Sequence, residues 1–172
     1  SIFKKNKLEK INLLFDIRKN NFNFTDISFD TSNINFLSER LNIKTDKKNY
    51  LLEGTIKNKN SLLNDQLLQI IKLKYPQFDL INTNFESEND FLFNINNKFK
   101  VKNLKINSSI LINSSQFKKN NLISEKFIQI NELIDLKNHK IKASYANKKL
   151  SIEGKGQIKL QNKFEIINYK II

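Results

Sequence analysis

The sequence predicts a mainly β protein, an antiparallel sheet of stacked hairpins carrying one α-helix at about 61–74. Three observations predict it. Apolar and polar residues alternate through most of the chain, the period-2 signature of strands with one oily and one wet face. Such one-sided strands are typical of antiparallel pairing. Two hairpin-like segments, 43–58 and 141–159, also resemble one another closely enough to read as an internal repeat within a single 1–172 segment.

Leu8 to Arg18 reads as a strand with Ile11, Leu13, Phe15 and Ile17 on one face and Asn12, Asp16 and Arg18 on the other. Phe22 and Phe24 restart the alternation. Ile27 and Phe29 resume it out of phase, so a bulge is expected near Thr25-Asp26. Asp30 to Asn33 is turn-like, and Ile34 to Lys44 is less regular, ending as a strand at Leu41 and Ile43. A hairpin follows through Asp46-Lys47-Lys48-Asn49 into Tyr50-Leu51-Leu52-Glu53-Gly54. Its second copy runs from Ile141-Lys142 through Asn147-Lys148-Lys149 into Leu150-Ser151-Ile152-Glu153-Gly154. A glycine at that point of a strand suits a bulge or a sharp bend.

Between the copies lies the expected helix. Ser61 suits an N-cap, Leu63, Leu67, Ile70, Ile71 and Lys74 follow at helical spacing, and Pro76 stops it. Phe78 to Glu88 returns to strand, with a polar turn at Glu86–Asp90. Phe91 to Asn113 is the clearest sheet in the chain. Phe91, Phe93 and Ile95 alternate with Leu92, Asn94 and Asn96, Asn97-Lys98 offers a turn, and Phe99 and Val101 alternate with Lys100 and Lys102. After a one-residue slip at Asn103, which demands a bulge or loop, Leu104, Ile106, Ser108, Ile110 and Ile112 continue the pattern. Ile123 to Asp135 fits a helix through Phe127, Ile130 and Ile134, and a strand through Ile128 and Ile130. Lys140 to Ala146, Leu150 to Gln161 and Phe164 to Ile172 close the chain as a three-strand meander.

With 172 residues, 39% of them hydrophobic and 14 Phe, the chain is globular and long enough for one real core. Its net charge is +13, yet Arg occurs only at Arg18 and Arg40 while Asn, Lys, Ile and Phe abound. These are the residues of an AT-rich genome, so the lysine excess owes much to codon bias. It still creates a positive potential that phosphates or anionic headgroups feel. No apolar run reaches the ~18 residues of a membrane span, and SIFKKNKLEK is no signal peptide. The chain starts without Met and reads as a segment of a longer protein, with any anchor upstream.

Catalytic chemistry finds little support. There is no Cys, no Ser in a nucleophile elbow, no glycine-rich phosphate loop and no zinc ligand set, and no cofactor is expected. His139 reads as a surface histidine, because no local group would orient it as a base. Glu86, Glu88 and Asp90 would share a strand face and read as a solvated turn rather than a cation site. Glu53 and Glu153 precede glycines in the repeat and read as structural. The run from Lys98 to Lys105 interleaves lysines with apolar residues. On a strand these point to opposite faces, which argues against a stacking platform for single-stranded nucleic acid. Asn107-Ser108-Ser109 and Asn113-Ser114-Ser115 match glycosylation sequons, as an Asn/Ser-rich chain does by chance.

The Glu-Gly hairpins and the alternating ladder resemble the AsmA-like superfamily of bacterial envelope proteins (AsmA, TamB and YhdP types). The likeness lies in Tyr50-Leu51-Leu52-Glu53-Gly54-Thr55-Ile56-Lys57-Asn58 and in Phe99-Lys100-Val101-Lys102-Asn103-Leu104-Lys105-Ile106. It also lies in Asn138-His139-Lys140-Ile141 leading to Leu150-Ser151-Ile152-Glu153-Gly154-Lys155-Gly156. The resemblance implies a curved, twisted β-groove in the periplasm, anchored in the inner membrane by an upstream helix, that carries phospholipids between membranes without enzymatic activity. The residues expected to line it are Phe91, Phe93, Ile95, Phe99, Val101, Leu104, Ile106, Ile110 and Ile112. The helix at 61–74 departs from a bare groove and could cap it. The competing expectations are a structural or interaction β-domain closed over the same face, and a single-stranded nucleic-acid binder.

Overall fold

The computed structural model describes residues 7–46, 49–65, 68, 80–118, 133–160 and 162–171. These residues form nine antiparallel strands, each paired with its neighbours in sequence: β1 (Glu9–Arg18), β2 (Asn21–Thr31), β3 (Ile34–Asp46), β4 (Asn49–Leu62), β5 (Leu80–Asn96), β6 (Val101–Lys118), β7 (Leu133–Ala146), β8 (Lys149–Leu160) and β9 (Lys163–Ile171). The sheet is an open meander, since β1 and β9 each pair on one side only. Strands lengthen from 10 residues in β1 to 18 in β6 and shorten to 9 in β9. At about 3.3 Å per residue the central pair is roughly 55–60 Å long.

The two ends of the sheet differ. Tight connections join β1–β2, β3–β4, β5–β6 and β7–β8 at one end, the short-turn end; the longer ones, after β4 and after β6, leave from the other. Ser32-Asn33 and Asn147-Lys148 are two-residue turns with positive φ at both positions. That geometry matches the right-handed twist of the flanking strands.

The slips are bulges, and their chemistry is consistent. Register shifts fall at Lys10, Asp26, Asn60, Asn82, Asn103 and Asn138, and each of these residues has positive φ; the one at Asp26 is the bulge expected near Thr25-Asp26. Two more, between Leu37 and Leu41 and opposite Asn84-Phe85, involve no positive φ. Asn tolerates the left-handed region because its short amide bonds locally. In a chain with three glycines it takes that role. The glycines themselves sit inside strands without positive φ, and the register shift beside Gly54 puts its extra residue on β3, between Leu37 and Leu41. A Cβ at Gly154 would collide with the ring of Tyr169 on β9, and one at Gly156 with His139 on β7. A Cβ at Gly54 would meet Phe91 Cζ and Arg40 O at 3.1 Å. These positions are small because a cross-strand ring lies over them.

The fold class needs one correction. No helix stands among the described elements, so the expected helix over 61–74 is withdrawn. Ser61 and Leu62 pair with Phe85 and Asn84 as the last residues of β4, and Ser61 is therefore no N-cap. Among the described residues one bond of helical spacing runs from Leu68 N to Asn64 O (2.9 Å). Residues 66–67 and 69–74 lie outside the described residues, as does Pro76. The polar turn expected at Glu86–Asp90 is also absent, because β5 runs unbroken through it. Most of the ambiguous 123–135 stretch is outside the described residues; Leu133 to Asp135 open β7.

Candidate functional site: the apolar face of the sheet

Cross-strand partners point to the same face, and successive residues to opposite faces. The register therefore assigns the faces directly. One row crosses eight strands as Phe15, Phe24, Leu41, Gly54, Phe91, Ile106, Tyr145 and Leu150. A parallel row carries Ile17, Phe22, Ile43, Leu52 and Phe93. Another carries Ile110, Ile141, Gly154 and Tyr169. Bulges keep these rows in phase where the sequence slips, so the apolar side chains of distant segments meet on one surface.

The other face is polar. Lys57, Glu88, Ser109, Lys142, Glu153 and Lys170 form one of its rows, with charges alternating in sign at several steps. Glu153 lies 2.7 Å from Lys170, whose hydrogen bond and charge hold its carboxyl below the usual range. Asp30 is lowered likewise, first by the Asn35 amide at 2.7 Å and then by Lys10. Lys57 is raised by Glu39 and then by Glu88. Glu86, Glu88 and Asp90 share this face. Their partners are other residues of the sheet, Asn113 on Glu86 (3.2 Å) and Thr55 on Asp90 (2.6 Å). No metal-ligating group of three occurs among the described residues.

Of the nine residues expected to line a groove, the sheet places eight on the apolar face. Phe91 pairs with Ile106, Ile95 with Val101, Ser87 with Ile110 and Phe85 with Ile112, while the bulge at Asn103 returns Leu104 to the same side. The Phe91 and Phe93 rings lie 5.8 Å apart. Phe99 is the exception: it lies in the loop between β5 and β6, 87% exposed.

Two features of this face escaped the sequence reading. Its centre holds a small polar cluster, in which Ser87 donates to Asn58, and Asn89 donates to Ser87 (2.9 Å) and to Ile56 O (3.3 Å). Asn58, 1% exposed, donates to Phe85 O (3.3 Å). The cluster satisfies itself, as buried amides must. Secondly, His139 is buried at 3% exposure, correcting its expected place on the surface. It pairs with Ile112, lies over Gly156 and stands 5.8 Å from the Tyr169 ring. Its Nδ1 is buried without a hydrogen-bond partner, and burial pushes its pKa down. The alternation His139, Ile141, Ala143, Tyr145 was the available signal.

Burial is unequal along the strands. Ile34, Ile112, Ile134, Asn58, Thr83, Ser115 and His139 are all buried, and they lie towards the end from which the long connections leave. Thr83 Oγ1 and Ser115 Oγ share a hydrogen bond of 2.6 Å there. Ile17, Tyr50, Val101 and Leu150, towards the short-turn end, are exposed. No known family, curated protein or solved structure matches the chain. The resemblance to AsmA-like proteins rests on the residues alone.

Proposed function

We propose that this chain is a non-enzymatic segment of an envelope protein whose apolar sheet face holds phospholipid acyl chains during transfer between membranes. One observation carries the reading: the row from Phe15 to Leu150 is apolar, one glycine aside, across eight strands of an open sheet. Contiguous apolar surface of this kind is characteristic of interaction and ligand-binding faces, which supports the reading. Along β6 the apolar-face residues Ile106, Ser108 and Ile110 are half-buried, while Lys105, Asn107 and Ser109 on the other face are exposed. A sheet that curls towards its oily side shelters one face in this way. Each acyl methylene withdrawn from water contributes about 0.8 kcal/mol, so a few chains repay such a lining. Headgroups would stay in solvent. A periplasmic setting with an inner-membrane anchor outside this segment belongs to the same proposal, and no specific nucleic-acid partner does.

Native mass spectrometry of protein purified without detergent tests it. Bound phospholipid is the expected result, and a photo-crosslinker at Phe93 should label lipid where one at Leu92, on the opposite face, does not. A stable, lipid-free monomer would overturn the proposal. A second reading, a structural β-domain closed over this face, draws on the buried end around Ile34, Ile112 and Ile134.

A further inference from the structure

The short-turn end of the sheet carries a feature that neither lining nor packing explains. Between β5 and β6 the loop 96–100 is held by one side chain. Asn96 Oδ1 accepts from Lys98 N (3.0 Å) and Lys100 N (2.9 Å), while Phe99 N donates to Asn96 O (2.9 Å). The loop thus fixes Phe99 at the tip with φ 55° and its ring 87% exposed. A bulky non-glycine residue is disfavoured in the left-handed region, where its Cβ crowds the carbonyl oxygen, and such outliers cluster at functional sites. Asn or Gly would sit there more cheaply, as Asn does at four of the six positive-φ bulges.

The surroundings repeat the theme. Val101, 53% exposed, and Tyr50, 43% exposed, flank Ile95 in the row behind the tip. Lys98, Lys100 and Lys102 interleave with Phe99 and Val101, and no described carboxylate pairs with any of the three. The β1–β2 turn stands level with this end, tied to β3 by the bond from Thr45 N to Asn20 O (2.8 Å), and adds Lys19. Among the described residues of that end the acidic ones are Asp46, opposite Asn49, and Asp16, which pairs with Arg18. An exposed ring beside unpaired ammonium groups is the combination that enters the boundary between headgroups and acyl chains, with the lysines reaching back to phosphates. Each basic residue near an anionic surface strengthens that attraction.

We propose that the β5–β6 tip docks on an anionic bilayer surface, with Phe99 inserted and Lys98, Lys100 and Lys102 on the phosphates. This stands apart from the lipid-groove reading, because a sheet with a sealed face could dock in the same way. The protein contains no Trp, so Phe99→Trp provides a single reporter. On vesicles of phosphatidylcholine mixed with phosphatidylglycerol its emission should move to the blue and be quenched by brominated acyl chains. Vesicles of phosphatidylcholine alone should leave it unchanged, as should either vesicle for Ile166→Trp on the polar face of β9. In flotation assays Phe99→Ser should weaken partitioning roughly tenfold. The Lys98→Glu, Lys100→Glu double variant should weaken it at least as much, with circular dichroism unchanged. An unshifted Phe99→Trp overturns the proposal. So do equal shifts at both reporters, which signify adsorption of a polycation by its whole surface. A blue shift that grows with protein concentration without vesicles also overturns it, and assigns the tip to a second copy of the chain.

Discussion

At the scale of single residues, His139 offers the sharpest test. Its imidazole is buried against Ile112, Gly156 and Tyr169, and burial depresses its pKa. The unfolded chain therefore binds a proton that the native protein does not, beginning near the ordinary value of about 6.5. Stability should be flat above that value and fall as the pH drops below it, by at most about 1.4 kcal/mol per pH unit. Asp30 and Glu153 act in the same direction only at lower pH, from the ordinary carboxyl range of the unfolded chain down through their lowered native values. Urea midpoints between about pH 7.5 and about pH 5.5 isolate the histidine, and His139→Leu should remove the slope. Tyr169 gives the mirror case: burial raises its pKa, so stability should decline above about pH 10. The glycines rank by what they meet. Gly156→Ala drives a methyl into the backbone of β7 at His139 as well as its ring, and should cost about 1–3 kcal/mol. Gly154→Ala meets the far end of Tyr169, which can swing away on an edge strand, and should cost less.

At the scale of elements, protection should follow position in the sheet. β5 and β6 are the longest strands and have partners on both sides, whereas β1 is exposed throughout and β9 almost so. Amide exchange should therefore be slowest in β5–β6 and fastest in β1 and β9, which open without disturbing the rest. Comparable protection from β1 to β9 would mean that the edges are covered in solution. Much of this arrangement was legible in the chain, because period-2 alternation survives any codon bias that preserves hydrophobicity. The slip at Asn103 was visible, since Leu104 and Ile106 fall out of phase with Phe99 and Val101. Asn60, Asn82 and Asn138 mark three of the other slips, but so Asn-rich a chain hides which of its Asn residues take positive φ. Ser61 misled because Ser suits an N-cap as well as a strand end. Glu86, Glu88 and Asp90 misled because acidic residues suggest a turn, although their spacing by two was itself the strand pattern. The ring-covered glycines were hidden for a different reason: their partners lie on other strands, as far from Gly54 in sequence as Phe91.

At the scale of the molecule, the question is whether one sheet face is a lining or a core. The two differ in what a buried charge would do. At the closed end Ile34 is 1% exposed, so Ile34→Asp strands an unpaired carboxylate in protein and should unfold the domain on either reading. Phe93 lies on the same face but nearer the short-turn end, half-buried, one row from the exposed Tyr50 and Val101. If acyl chains rather than protein cover it, Phe93→Asp removes their favourable surface and leaves the strand ladder intact. Bound phospholipid should then be lost while the urea midpoint of lipid-free protein shifts little. Leu92→Asp, on the polar face beside Lys105, should change neither. A domain sealed along its whole length behaves otherwise: Phe93→Asp would then collapse the fold as Ile34→Asp does. The position along β5 at which a carboxylate stops being tolerated measures where the core ends and the lining begins, and tolerance at Phe93 with intolerance at Ile34 is the outcome the burial gradient requires.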